Sequence, residues 1–209
     1  KPPVQFQDFV GSAATRQRYW ARSLVGWARV SAASPAAAHT ALAALEKSGA
    51  VSALVTQNVD GLHQKAGSES VIDLHGRLDT VRCLDCRATV SRAAIQTELK
   101  SLNPKWARMN AKDAPDGDAQ LDGPFDDVVI PVCPACGGVL KPDVVFFGEN
   151  VPRPRVDAVM AAIDASSVSV SVGVSDQLDP IEAFDLAAGD AARGLDGACD
   201  LAVIFVGAP

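Results

Sequence analysis

Residues 50–61 read AVSALVTQNVDG. Within them Val51–Thr56 is a nearly unbroken apolar run, the pattern of a strand buried on both faces, and Gln57–Gly61 is a polar turn. A buried strand that runs into a polar turn and then a helix is how an open α/β sheet presents ligand groups at its carboxyl edge. Working outward, Ser34-Pro35 opens an Ala-rich helix that runs to Glu46 and is closed by Gly49. Further upstream, residues 5–29 interleave aromatics with arginines and read as one or two short helices. Downstream, residues 152–165 read as a helix, 167–174 alternate as a strand, 179–199 are weakly helical, and Leu201–Val206 is a last apolar strand. Strands that alternate with helices predict an α/β fold with a parallel sheet.

The bulk properties narrow the partners. A chain of 209 residues can hold one domain with a core plus a small module. Its 48% apolar and 21% charged residues, with mean hydropathy +0.11, fit a globular protein. Net charge −6 and a pI near 5.0 argue against nucleic acid or an anionic membrane surface as the main partner. No apolar run approaches the roughly 18 residues that cross a bilayer, and no signal peptide is visible. The expectation is therefore no nucleic acid, no membrane and a monomer. The compartment is expected to be cytoplasmic for a bacterial protein and the mitochondrial matrix for a eukaryotic one.

Four of the five cysteines form two CxxC pairs, Cys83 with Cys86 and Cys133 with Cys136. Each pair sets two thiolates on one turn, and two such turns complete a tetrahedral zinc site. The 46 residues from 87 to 132 separate the pairs, a long insertion that costs little because loop-closure entropy grows only logarithmically. Four thiolates leave no position for water, so such a zinc is structural. The alternative is a set of reduced or redox-active thiols. Residues 81–137 are expected to form this module, with a loop-like stretch at 101–127. The sheet domain takes residues 1–80 and 138–209. Cys199 reads as a small buried hydrophobe.

Gln57, Asn58 and Asp60 cluster directly after the buried strand, and Leu74-His75-Gly76 follows shortly before the first cysteine pair. Such a polar group suits a sugar hydroxyl and a carboxamide, with His75 as a base near neutral pH. A lone His before Gly is otherwise as well explained by a structural role.

Taken in order, TQNVDGLHQKAGS (56–68), LHG (74–76), the two CxxC pairs and KPDVVFFGE (141–149) resemble the sirtuins, NAD-dependent protein-lysine deacylases. RQRYWARS (16–23), LNPKW (102–106) and APDGD (114–118) further resemble the class II branch, which includes a mitochondrial lipoamidase and ADP-ribosyltransferase type. The resemblance spans about residues 3–175. It implies a Rossmann-like NAD domain, a small zinc module and a cleft between them. In that chemistry the acyl oxygen of an acylated lysine attacks the nicotinamide ribose, nicotinamide departs, and the acyl group passes to ADP-ribose.

By position, the resemblance makes His75 the general base for a ribose hydroxyl. Gln57 and Asn58 would hold the ribose, while the Val59 backbone and the Asp60 carboxylate would hold the nicotinamide carboxamide. Gly173 and Ser175 stand where the family contacts NAD, with Val174 replacing a hydroxyl residue. His63 falls on the following helix and reads as structural. Val144, Val145, Phe146, Phe147, Gly148 and Glu149 match the segment that pairs with the peptide. Phe146 and Phe147 would wall the acyl-lysine tunnel, or either could be core. Tyr19 and Arg22, three apart on one helix face, match a pair that holds acidic acyl groups in related sirtuins, against the plainer reading of a packed Tyr and a solvated Arg.

The family's opening strand, its Gly-Ala-Gly phosphate loop and the segment covering nicotinamide have no counterpart here, so the sheet is expected to lack its first strand and the chain to be a fragment. The alternatives are a catalytically impaired module that binds acylated peptide or protein, and mono-ADP-ribosyl transfer from the same site.

Overall fold

In a computed structural model of the chain, the structure describes residues 4–109, 112–113, 119–121, 123–166, 168–174 and 200–206. The chain divides into two compact units, Lys1–Ala33 with Leu78–Asn150, and Ser34–Arg77 with Val151–Pro209.

The first unit opens with helix α1 (Phe6–Gly11) and the long helix α2 (Ala13–Ala32). Ser12 caps α2, its hydroxyl accepting from the Thr15 amide at 3.2 Å. Where one or two short helices are expected, α2 runs for 20 residues. Its inner face carries Tyr19, Trp20, Ala21 and Leu24, all buried. The second unit begins with α3 (Ala37–Lys47), which packs beside strand β1 (Val51–Thr56) and the short helix α4 (Leu62–Lys65). Strand β2 (Val71–Asp73) lies parallel to β1, with Leu54 opposite Val71 and Thr56 opposite Asp73.

The chain returns to the first unit along β3 (Gly76–Cys83), flanked by β4 (Thr89–Ser91) and later by β7 (Leu140–Val144). Helix α5 (Arg92–Leu102) is capped by Ser91. Arg92 is fully buried. It donates to Gln96, to the Ser23 carbonyl and to the Ser23 hydroxyl, and its guanidinium lies 4.7 Å from the Trp27 ring. Those bonds tie α5 to α2. A buried guanidinium is tolerable only because its donors are used.

The stretch expected to be loop is partly structured. It holds a 3-10 turn at Trp106–Arg108 and two short paired strands, β5 (Lys112–Asp113) and β6 (Ala119–Gln120). Its ends are latched. Asn103 accepts from the Val129 amide at 2.7 Å and donates to the Val129 carbonyl at 2.8 Å, while Trp106 Nε1 donates to Asp127 at 3.0 Å. Pro, Asp and Gly content signals loops but does not show which single Asn or Trp anchors them.

The domain boundaries differ from the expected ones. Residues of α1 and α2, and residues 138–150, group with the cysteine module and not with the large sheet. The reason is a shared core: Phe9, Tyr19, Trp20 and Leu24 cluster with Val81, Ile95, Leu99, Trp106 and Leu140. A module of 81–137 alone would leave that apolar face uncovered.

The second unit is completed by α6 (Arg153–Asp164), β8 (Val168–Val174) and β9 (Asp200–Val206). Its sheet has the order β2-β1-β9-β8. The architecture is the expected Rossmann-like α/β type, with one correction. Strands β2, β1 and β8 share a direction, but β9 runs antiparallel to both of its neighbours. The apolar run 201–206 reads as a strand and takes an inner place in the sheet between β1 and β8, yet such a run carries no information about strand direction. Residues 175–199 lie outside the described residues, and with them Ser175, Cys199 and the stretch expected to be weakly helical.

Candidate functional site

The polar turn and the histidine are brought together by parallel pairing. Because Thr56 stands opposite Asp73, the turn starting at Gln57 and the turn holding Leu74 and His75 leave the same end of adjacent strands. The Leu74 amide donates to the Thr56 carbonyl at 2.9 Å and extends the ladder by one bond. His75 is followed by Gly76, a buried residue with φ +83, where a side chain would be strained. That turn frees His75 from the strand and leaves it half-buried. Burial lowers its pKa below the usual histidine value, and the positive charge of Arg155 lowers it further. Both effects favour the neutral imidazole, the form in which a histidine can accept a proton.

The opposing turn is held from within. The Asn58 amide donates to Thr56 Oγ1 at 3.0 Å, and the Leu62 amide donates to Asp60 Oδ1 at 2.8 Å. Gln57, Asn58, Val59 and Asp60 are all partly exposed, so they remain accessible to a ligand. His63, one turn on, is different: it is buried, its ring lies 4.7 Å from that of His39 and tilted to it by 51°, and its Nδ1 has no hydrogen-bond partner among the described residues. Gly173 is paired with Leu201 inside the sheet.

In the other unit, the Sγ atoms of Cys83, Cys86, Cys133 and Cys136 all lie within 4.8 Å of one another, with Cys83–Cys136 and Cys86–Cys133 at 3.6 Å. A tetrahedral zinc with Zn–S near 2.3 Å sets its sulfurs about 3.8 Å apart, so the donor set fits. No disulfide forms among these four. The Cys83 thiol is lowered to about 7, chiefly by the Cys86 amide. Cys136 is pushed up to about 12: the Gly138 amide favours its thiolate, but the crowding sulfurs of Cys86 and Cys83 outweigh it. A divalent cation relieves that crowding by taking all four as thiolates. Gly138 must be glycine here, since a Cβ would overlap the Asp85 carboxylate and approach Cys83 Sγ to 3.0 Å.

The segment resembling a peptide-pairing strand shares only Val144 with β7, and residues 145–149 follow as loop and turn. Val144 is buried, Val145 and Phe146 are half-buried, and Phe147 is 61% exposed. Phe146 sits against Phe9 and Tyr19, with ring centroids 5.3 Å away in each case. Tyr19 is thus beside this segment, and Arg22 is partly buried one turn along α2. Gly148 has φ +75, and the Glu149 carboxylate accepts from the Phe146 amide at 2.9 Å, which closes the turn. Sequence reasoning missed Lys141, Arg155 and Arg77, whose guanidinium lies close beside Gly61. For Lys141 the signal was weak, since β7 carries two charges, Lys141 and Asp143; for the two arginines there was none.

Comparison with known proteins places this geometry. The Sir2 family profile matches residues 1–180. An NAD-dependent protein deacetylase of Xanthomonas campestris pv. campestris (strain 8004) is 60% identical over 174 residues, 83% of this chain and 59% of that protein. One from Bordetella bronchiseptica is 54% identical over 176 residues, covering 84% and 64%. The NAD-dependent protein deacylase SRT2 of Arabidopsis thaliana is 44% identical, covering 83% of this chain and 51% of that one. The chain thus spans between 51% and 64% of the length of these relatives. Among solved structures, Sir2 bound to acetylated peptide superposes with TM-score 0.55 at 29% identity, over 77% of this chain and 54% of that one. By profile, by identity and by fold, the chain belongs to the Sir2 family, the sirtuins.

Proposed function

We propose that this chain carries the base-bearing and peptide-recognising parts of an NAD-dependent protein-lysine deacylase. The observation that carries the reading is the register Thr56 opposite Asp73, which sets the Gln57–Asp60 turn and His75 side by side, with burial favouring the neutral imidazole. When bound, NAD supplies the electrophilic ribose carbon and the departing nicotinamide. The protein's own part is to hold the ribose with Gln57 and Asn58, to bind the carboxamide through the Val59 backbone and Asp60, and to take a hydroxyl proton on His75. The names of relatives, deacetylase and deacylase, support the same reaction class. Residues 144–149 would take the substrate by strand addition, which reads main chain and tolerates varied flanking side chains.

The test is nicotinamide release from NAD, and formation of deacylated peptide, in the presence of acyl-lysine peptides. His75 takes its proton after nicotinamide has left, so replacing it by Ala is expected to slow formation of the deacylated peptide by about 10²–10⁴-fold. Deacylation that persists at full rate in His75→Ala would remove His75 from the reaction. Within this reading, Tyr19 beside Phe146 with Arg22 on the same face supports a preference for acidic, branched or lipoyl-type acyl groups. Arg22→Met should then lower turnover of a glutaryl peptide while sparing an acetyl one; equal turnover of both by the unaltered protein would end that idea.

A further inference from the structure

Lys141 lies inside β7 and is only 4% exposed. Its ammonium pairs with Glu149 Oε2 at 2.8 Å and donates to the Val144 carbonyl. It also sits 4.5 Å from the centre of the Phe146 ring and 5.7 Å from that of Phe6. The same Glu149 oxygen accepts from the Phe146 amide at 2.9 Å, and the Glu149 amide donates to the Phe146 carbonyl at 3.0 Å. One residue on, the Phe147 carbonyl accepts from the Phe6 amide at 2.9 Å. Two charged residues thus grip one short segment at three backbone points.

We propose that the Lys141–Glu149 pair is a positioning clasp that holds residues 144–148, from the end of β7 into the turn at Gly148, in the shape in which they receive an acyl-lysine peptide. The proposal rests on the deacylase reading for its ligand and on this geometry for its mechanism. A buried ion pair adds little net stability over an apolar pair of equal volume, because desolvation offsets the attraction. What it does add is a defined arrangement of the groups it bonds. The clasp takes the Val144 carbonyl and both the amide and the carbonyl of Phe146, and makes no bond to the Val145 backbone between them. Its aromatic contact also fixes the Phe146 ring, which the resemblance places at the tunnel wall. Lys141 is a positioning residue, and Glu149, the last residue of the segment assigned to the peptide, acts in the clasp through its hold on the Phe146 backbone.

The test compares the zinc-loaded full chain with Lys141→Met, Lys141→Arg and the double variant Lys141→Met/Glu149→Leu. Three quantities are read: thermal midpoint, amide hydrogen exchange of residues 145–148, and affinity for a fluorescent acetyl-lysine peptide. Lys141→Met is expected to lower the midpoint, speed exchange and weaken the peptide by about ten-fold or more, as a loosened binding segment should. The double variant removes the orphaned carboxylate and should regain the midpoint, yet still exchange quickly and bind weakly. Lys141→Arg should recover part of the affinity. Recovery of affinity together with stability in the double variant would show a merely structural pair and overturn the proposal, as would unchanged exchange in Lys141→Met. Absence of peptide binding by the unaltered chain would overturn the substrate role along with the deacylase reading. Unchanged exchange beside normal peptide binding would overturn the clasp alone.

Discussion

The two units support their chemistry in opposite ways. The cysteine-bearing unit builds two of its four clustered cysteines, Cys83 and Cys133, into a core in which Phe9, Trp20, Val81 and Leu99 are fully buried, and leaves Cys86 and Cys136 exposed. The unit carrying His75 buries part of β1, but α3 and α6 contribute no buried residue, and Leu45, Met160 and Ile163 are 41–52% exposed. Among the described side chains, those of the cysteine-bearing unit form the larger buried cluster, and His75 and the Gln57–Asp60 turn lie in the other unit, partly exposed. Partly exposed turns are where local opening is less costly.

The largest test of this contrast is removal of the metal. Chelation, or Cys133→Ser, should withdraw on the order of 10 kcal/mol of metal-linked folding free energy from the first unit. Amide exchange would show Val81 and Leu99 losing protection while Leu54 and Val55 keep theirs. Equal loss in both would mean that the units fold as one. Next in size, Trp20→Ala should cost about 3–5 kcal/mol through lost burial and the cavity left behind, read as a lowered denaturation midpoint with zinc still bound.

A smaller effect separates the units by pH. All three histidines, His39, His63 and His75, lie in the second unit. Burial lowers the pKa of His63, with His39 adding to it and Asp60 opposing, and burial also lowers that of His75. The unfolded chain therefore takes up protons first as pH falls. The stability that neutral histidine contributes is complete above the ordinary value of 6.5 and is lost as pH drops toward the folded value. With zinc bound, exchange of the β1 amides should quicken as pH falls from about 7.5 to about 5.5 more than that of β3; a parallel change in both would break the contrast. Smallest of all, Leu45→Lys and Met160→Lys should alter stability by no more than about 0.5 kcal/mol. A loss of several times that in the denaturation midpoint would show these side chains to be covered in solution.

Legibility followed the physics of each signal. Val51–Thr56 is readable to the residue because a short apolar run that ends in a polar turn fits a buried strand and little else. The cysteines are readable because their spacing mirrors a coordination geometry. The turn at Gln57–Gly61 and His75 are readable as separate motifs; only the register of β1 with β2 makes them neighbours. Strand direction in β9, the affiliation of α2 with the cysteine unit, and the latches at Asn103 and Trp106 depend on long-range packing, which local composition does not encode. The Lys141–Glu149 pair falls between these cases. A charge within a short strand is visible in sequence, but which partner it takes, here one on the far side of the following turn, is not.

The antiparallel β9 has a consequence for the order in which the molecule is made. Val51 pairs with Val206, far away along the chain, a separation that slows folding because closure precedes any reward from contact. The cysteine unit ends at Asn150 and holds all four clustered thiols, so it can close on zinc while the ribosome is still adding residues. Until residues 200–206 emerge, β1 has an open edge, and a nascent chain stalled before that point would present it to any other strand nearby.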